Sequence, residues 1–273
     1  MRRVLITGAA SGFGQALARI YAARGDRVLL TDLALMAAEV DLPPATNGGE
    51  VFYSKLDVRS DADWERVRRE VEDRWGGLDL LFNNAGVAAG GRIDVVPIKD
   101  WEWIVDINLL GVVRGCQTFT PMFKRQGSGH IVNTASLAGL VHGPGMSSYN
   151  AVKAGVVALS ETLLHELAPF GIAVSVICPS FFRTKLDRSL PGSDPALEAD
   201  AVQLITRARR SAEQVAARAV RQVDKLRFLI LVDAQGHGLT RFKRLTPRAY
   251  HAALMRVGTG LRKRTAQRER ESR

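Results

Sequence analysis

The stretch VLITGAASGFGQALA, residues 4–18, decides the fold. Val4, Leu5 and Ile6 read as a buried strand, and from Gln15 to Arg24 helix formers and apolar residues follow at helical spacing. Between strand and helix, Gly8, Gly12 and Gly14 fall in a single turn. Glycine there admits dihedrals closed to other residues, lets a ligand touch the backbone, and lets the helix pack closely with its N-terminus facing an anion. The pattern offers a seat for a pyrophosphate, with Ser11 and Phe13 inside the loop, although an ordinary tight turn also uses glycines.

Working outward, apolar runs recur as RVLLTD (27–32), EVFYSKLDV (50–58), LDLLFNNAG (78–86), GHIVNTAS (129–136), GIAVSVICP (171–179) and RFLILVD (227–233), with helical stretches between them. The runs are continuous rather than alternating, so both faces of their sheet are covered. This predicts an α/β fold, a doubly wound parallel sheet of about seven strands in a single domain. Ligands of such folds lie beyond the carboxyl ends of the strands, which singles out Gly8, Asp32, Asp57, Asn84, Ser136 and Pro179. The domain is expected over 1–236, with a charged, proline-containing lid at about 181–225. A basic helical extension is expected over 237–273, its last residues, RKRTAQRERESR (262–273), disordered.

The net charge of +10 belongs to that extension. Of 38 Lys and Arg, 11 fall in residues 241–273 against two Glu, which leaves 27 basic and 26 acidic residues in the rest of the chain. Tyr250, Leu254, Val257 and Leu261 recur there at helical spacing beside Arg256, Arg262, Lys263 and Arg264. A helix docked on the body or on another subunit is the expectation, with peripheral contact to an anionic membrane as its rival. Nucleic acid is not expected, because no aromatic interleaving or recognition motif accompanies the charge. No apolar run approaches the roughly 20 residues of a membrane span and no secretory h-region precedes Gly8, so the expected location is cytoplasmic. Cys116 and Cys178 lie far apart in apolar settings and read as buried packing residues, supporting neither a disulfide framework nor a metal site.

Two constellations carry chemistry. Asp32 closes the second run 18 residues after Gly14, where a carboxylate can accept hydrogen bonds from both hydroxyls of an adenosine ribose; capping of the next helix is the alternative. In SSYNAVKAGVVALSETL (147–163), Tyr149 and Lys153 share one helix face. A tyrosine hydroxyl ionises near pH ~10, so acid–base work near neutrality asks for a nearby ammonium, although a tyrosine stacked on a lysine stem has the same spacing. Ser136, thirteen residues before Tyr149, can hold a substrate oxygen against its hydroxyl, or else cap a helix.

TGAASGFG (7–14), NNAG (83–86), Asn108 in DINLLGV, Ser136 and YNAVK (149–153) together resemble the short-chain dehydrogenase/reductase family, in order over roughly residues 1–235. The resemblance implies a Rossmann-type fold and hydride transfer between a nicotinamide and an alcohol or carbonyl carbon through an Asn-Ser-Tyr-Lys tetrad. Tyr149 would then move the hydroxyl proton and Ser136 position the oxygen. Lys153 would bind the nicotinamide ribose and lower the Tyr149 pKa, and Asn108 would hold a water. It further implies that Asp57 and Val58 meet the adenine, Asn84, Ala85 and Gly86 pass the ribose, and Thr184 after Pro179 bonds the carboxamide. Ser180 departs from the glycine the family usually places after that proline.

Asp32 favours NAD over NADP, since a carboxylate repels a 2′-phosphate, with Arg3 and Arg27 as basic residues that could offset it. Val87, Ala88, Leu137, Val141, Met146 and Phe181, with Phe182 and Leu186, suit a hydrophobic alcohol, ketone or aldehyde. His142 reads either as a donor to substrate or as a structural residue, and Arg183, Lys185 and Arg188 as surface charge or partners of an acidic group. A homo-oligomer, dimer or tetramer, is expected. The rival function is a dinucleotide-binding regulator without turnover, which would need the glycines and Asp32 but not the tetrad.

Overall fold

The computed structural model describes residues 1–33 and 40–271. Strands β1 (Arg3–Thr7), β2 (Arg27–Asp32), β3 (Glu50–Lys55), β4 (Leu80–Asn83), β5 (Gly129–Thr134), β6 (Ile172–Ile177) and β7 (Leu229–Ile230) form one sheet. Its order is β3-β2-β1-β4-β5-β6-β7 and each pairing is parallel. The order reverses between β1 and β4, and the crevice of a doubly wound sheet opens at that switch point.

Alternate residues of the central strands feed two cores. Val4, Ile6, Val28 and Leu30 pack under α1 (Gly12–Ala23) and α7 (Ala212–Val223), while Leu5, Leu29 and Leu81 pack under α2 (Asp61–Trp75), α4 (Gly111–Gln126) and α5 (Ser147–Leu167). Covering both faces is why the strands read as unbroken apolar runs. A short α3 (Ile98–Val105) passes into a π-helical turn, Asp106–Leu110, before α4. Both cysteines are buried, as the sequence suggested.

Three expectations about the later chain need correction. The lid was placed at 181–225, yet Val215, Ala216, Ala219 and Val220 of α7 are fully or almost fully buried against α1, so α7 is a crossover helix of the core. Before α7 this span holds only a 3₁₀ turn, Lys185–Ser189, and α6 (Pro195–Thr206) as helical elements among the described residues. The boundary at 236 falls inside α8 (Ala234–Leu245), which Asp233 caps by accepting from the Gly236 N–H at 2.7 Å. Residues 262–271, expected to be disordered, continue α9 (Pro247–Glu271) as helix. Arg268 explains this: it donates to the Ala196 carbonyl and, at 2.7 Å, to Asp200 on α6, so the arginine-rich end is anchored. Residues 272 and 273 of that expectation lie outside the described residues, as does the segment after Leu33 that Asp32 could have capped.

Candidate functional site

The glycine turn connects β1 to α1 and is held against β4. Thr7 Oγ1 accepts from the N–H groups of Asn84 and Ala85, each at 2.9 Å, and Asn84 Nδ2 donates to the Thr7 carbonyl at 2.9 Å. Gly14 sits so close to this junction that a Cβ would collide with the Gly8 carbonyl oxygen. Gly12 has φ of +56°, and a Cβ there would lie 2.7 Å from Thr184 Oγ1. Ser11, at the α1 N-cap, makes no side-chain cap bond, so the positive end of α1 is left to face a ligand. These features make a cradle for a diphosphate.

A cleft of about 270 Å³ runs from this cradle along the carboxyl ends of the strands. It is lined by Gly8, Ser11, Gly12, Phe13 and Gly14 at one end, by Asp32, Asp57 and Val58 beside them, and by Asn84, Ala85 and Gly86 at β4. Tyr149, Lys153, Pro179 and Thr184 complete it. Every cofactor residue anticipated from the sequence thus reaches one cleft. The groups suit a dinucleotide: a glycine cradle for the diphosphate, carboxylates to accept from hydroxyls, and an ammonium at the far end. Asp32 accepts from the N–H groups of Ala10 and Leu33 at 2.9 and 2.8 Å, which fixes its carboxylate at the cleft wall. Arg59, which the sequence reading passed over, also lines the cleft and is paired with Asp57 at 2.7 Å. Its guanidinium, chiefly by hydrogen bonding, holds the Asp57 carboxyl below the usual range. Arg3 is tied to Asp79 at the other end of its strand, so it does not approach Asp32.

A second, apolar cavity of about 250 Å³ adjoins the first, lined by Ala88, Leu137, Val141, Met146, Phe181 and Phe182 among others. Ser136 opens only into this cavity and Lys153 only into the cleft, whereas Tyr149 lines both. Of the anticipated wall, Val87 lines the cleft instead and His142 lines neither. His142 is drawn away by α8, because Lys243 Nζ lies 3.1 Å from its Nδ1 while donating to the Leu140 carbonyl at 2.6 Å. Burial, then the Lys243 charge, lowers the His142 pKa.

The acid–base groups sit in a dry setting. Burial lowers Lys153 to about 8, and its Nζ donates to the Thr134 carbonyl at 3.0 Å, 5.9 Å from the centre of the Tyr149 ring. Burial also raises the Tyr149 hydroxyl above its ordinary value, with a hydrogen bond from Ser136 pulling the other way. In the protein alone, desolvation prevails over that bond. Asn108, fully buried in the π-helical turn, spends both ends of its amide on Val87, accepting at 2.8 Å and donating at 2.9 Å. Its side chain therefore clamps the loop after β4.

Some participants were invisible in the sequence. Asn83 donates to Asn133 at 2.9 Å and Asn133 to Ser160 at 3.0 Å, a buried chain that fixes α5, and so Tyr149, against the sheet. Ser180, the departure from the family pattern, donates to Asp233 and so joins the segment after β6 to the cap of α8. The cavity wall also includes Gln235, Leu239, Tyr250 and Leu254 from α8 and α9. Helical periodicity had marked Tyr250 and Leu254, but it could not say which surface they meet.

Comparison with known proteins agrees with this geometry. A family model described as short chain dehydrogenase matches residues 2–195. The CLA biosynthesis dehydrogenase/reductase of Lactiplantibacillus plantarum is 38% identical over 187 residues, 67% of this chain and 65% of that protein, just under two thirds of its length. A short-chain dehydrogenase/reductase from Burkholderia phymatum, solved in complex with NAD, is 32% identical with a TM-score of 0.81, covering 89% of this chain and 92% of that one. A short-chain dehydrogenase from Sphingobium yanoikuyae, solved with NADPH, is 27% identical with a TM-score of 0.73, covering 93% and 95%. With its Rossmann-type sheet and this match over more than half its length, the chain belongs to the short-chain dehydrogenase/reductase family.

Proposed function

We propose that the protein interconverts a secondary alcohol and a ketone, or an alcohol and an aldehyde, on a hydrophobic small molecule, with NAD preferred to NADP. The observation that carries this reading is the place of Tyr149, on the wall shared by the polar cleft and the apolar cavity. A nicotinamide dinucleotide in the cleft would supply a two-electron hydride acceptor or donor. Gly8, Gly12 and Gly14 would cradle its diphosphate, Asp32 its adenosine ribose, Lys153 the other ribose and Thr184 the carboxamide. Asp57 and Val58 would meet the adenine.

In the oxidising direction the carbinol carbon would give up a hydride to the cofactor, and its hydroxyl proton would pass to the phenolate form of Tyr149. Ser136 keeps its hydrogen bond to the oxygen that becomes the carbonyl, and reduction runs the same steps backwards. Burial keeps Tyr149 protonated at neutral pH, which is the form that donates to a carbonyl in reduction. A regulator without turnover would have no use for Ser136 and Tyr149 facing an apolar cavity. Phe181 belongs to that substrate wall; His142, turned to Lys243, is left out of the substrate role. The reading also carries a homo-oligomer, which sedimentation would test, and a cytoplasmic location, testable by fractionation.

Tyr149→Phe removes the proton-transfer group and keeps the ring that lines the cleft. Turnover should fall below about a thousandth of wild type, while NADH affinity by fluorescence titration stays within a few-fold. More than a tenth of the wild-type kcat would exclude Tyr149 as the proton carrier. Asp32 tests the cofactor choice. Two charge-assisted bonds to the ribose should give a kcat/KM at least ~30-fold higher with NAD than with NADP, about 2 kcal/mol. Asp32→Ala should bring that ratio towards unity, and equal use of both cofactors by the wild type would show that its carboxylate serves only Ala10 and Leu33.

A further inference from the structure

Beyond the apolar cavity lies a larger one, of about 880 Å³, and the two share Met146, Ser180, Phe181, Ala201, Gln235 and Leu254 in their walls. A molecule reacting at Tyr149 can therefore extend outward without leaving a lined space. The lining of the outer cavity includes apolar Leu197, Leu204, Val257 and Leu261 from α6 and α9. Its rim is cationic, with Arg207, Arg209, Arg210 and Arg264.

These four arginines are not equivalent. Arg210 is committed to Asp233 at 3.2 Å, and Arg264 stands 3.7 Å from Asp200, which Arg268 also holds at 2.7 Å. Among the described residues, the guanidinium groups of Arg207 and Arg209 have neither an ion pair nor a side-chain hydrogen bond. Most arginines on the body are paired, among them Arg2, Arg24, Arg59, Arg68, Arg92 and Arg114. The segment that carries the two unpaired ones is fixed. Arg183 donates through Nη1 to the carbonyls of Ala208 and Arg209 at 2.7 and 3.0 Å, and its N–H donates to the Arg210 carbonyl at 2.9 Å. Asp200 is the carboxylate in this lining, and its two oxygens are already engaged by Arg264 and Arg268. An anion entering there would thus meet positive charge carried on a fixed backbone, with its hydrogen-bonding capacity unspent.

Resting on the oxidoreductase reading above, we infer that the substrate is an amphiphile. Its alcohol or carbonyl sits on an apolar chain at Tyr149 and Ser136, and the far end of the molecule carries an anionic group received by Arg207 and Arg209. A carboxylate of a free acid and a phosphate on a carrier to which the acid is joined share this chemistry. The two arginines then act on specificity through binding, and touch no reacting atom.

The test uses the full-length protein with nicotinamide dinucleotide and substrates matched in skeleton. Methyl carbinols of six to sixteen carbons are compared with the hydroxy acids that bear a carboxylate at the opposite end, and a 3-hydroxyacyl coenzyme A series provides the phosphate-bearing arm. At one chain length or more, an anionic substrate should exceed its neutral counterpart in kcat/KM by about tenfold or more, chiefly through KM. Whichever arm prevails identifies the source of the anion. Arg207→Gln with Arg209→Gln should reduce that advantage to about twofold and leave the neutral alcohols unchanged, and added salt should do the same to the wild type. Equal use of neutral and anionic substrates at every length would overturn the inference and leave the oxidoreductase reading standing. An advantage that survives the double substitution would overturn the assignment to these arginines. Failure to turn over any alcohol, with either dinucleotide, would overturn the underlying reading and the inference with it.

Discussion

Lys153 illustrates what a reactive residue costs a fold. It is 4% exposed and its ammonium has, among the described residues, one hydrogen-bond acceptor, the Thr134 carbonyl. Burial has lowered its pKa from 10.5 to about 8, so at neutral pH the folded protein carries a charge that the unfolded chain would hold more comfortably in water. The sign follows from proton counts. Between the folded and unfolded values the unfolded chain binds the extra proton, so this group's contribution to stability rises as pH climbs through about 8 and levels off near 10.5. Below the folded value the penalty is complete, about 3 kcal/mol by the linkage relation. Lys153→Met keeps the apolar stem and removes the charge. It should raise Tm at pH 7 by several degrees while abolishing turnover and weakening NADH binding. If Tm falls, the ammonium is better compensated than its single carbonyl partner indicates. If rate is lost and binding kept, Lys153 does not hold the ribose.

At the scale of elements, the sequence was most informative where local rules govern. The runs at 4–6, 27–32 and 129–136 became β1, β2 and β5 because a strand buried on both faces leaves an uninterrupted apolar signature. The glycine turn was legible for a similar reason, since its spacing answers to the contact between Gly8 and Gly14. What stayed hidden depends on partners distant in the chain. The bonds by which Asn108 clamps Val87 are one such case, since they join residues 21 positions apart. Helix α7 looked like lid because its charged residues, Arg218 and Arg221 among them, conceal a stripe that only α1 reveals as buried. Helix α9 is the clearest case. Docking was the expectation, but not the surface it would use: Tyr250 is 2% exposed, stacks edge-on with Phe242 of α8 at 5.8 Å, and lines the apolar cavity together with Leu254. A chain ending at Leu245 would expose that cavity and release the hold of Arg268 on α6. Its KM for a hydrophobic alcohol should rise about tenfold or more, or the protein should aggregate through the uncovered apolar surface. NADH affinity should be retained in whatever soluble fraction remains, because α9 lines no part of the cleft. An unchanged KM would show that α9 docks on the body without shaping the apolar cavity.

For the whole molecule, the roof of the site is fastened to the body by an ion pair between segments 102 residues apart. Asp194, whose side chain is 1% exposed at the start of α6, accepts from the Arg92 N–H at 3.0 Å and from its Nε at 2.9 Å. Burial by itself would raise the Asp194 carboxyl, but the hydrogen bonds and charge of Arg92 more than reverse this and hold it below the ordinary range. Glu198, one turn along α6, goes the opposite way: burial raises it despite bonds from the Gly192 backbone. The two groups therefore act on stability with opposite signs in acid. Asp194 contributes stability that is present above its unfolded pKa and is lost as pH falls through its lower folded value, whereas protonation of Glu198 relieves a buried charge. Asp79, Asp57 and Glu50 are also held low, so the acid limb of the whole protein should slope downward, with Glu198 blunting it. Arg92→Gln isolates the roof's share. At pH 7 it strands a buried carboxylate and should cost about 3 kcal/mol. As pH falls through the carboxylate range, Asp194 in the variant protonates first and sheds its penalty, so the Tm curves of variant and wild type should converge towards pH ~3. Parallel curves over that interval would mean that Arg92 acts on the roof by packing and not through the Asp194 charge.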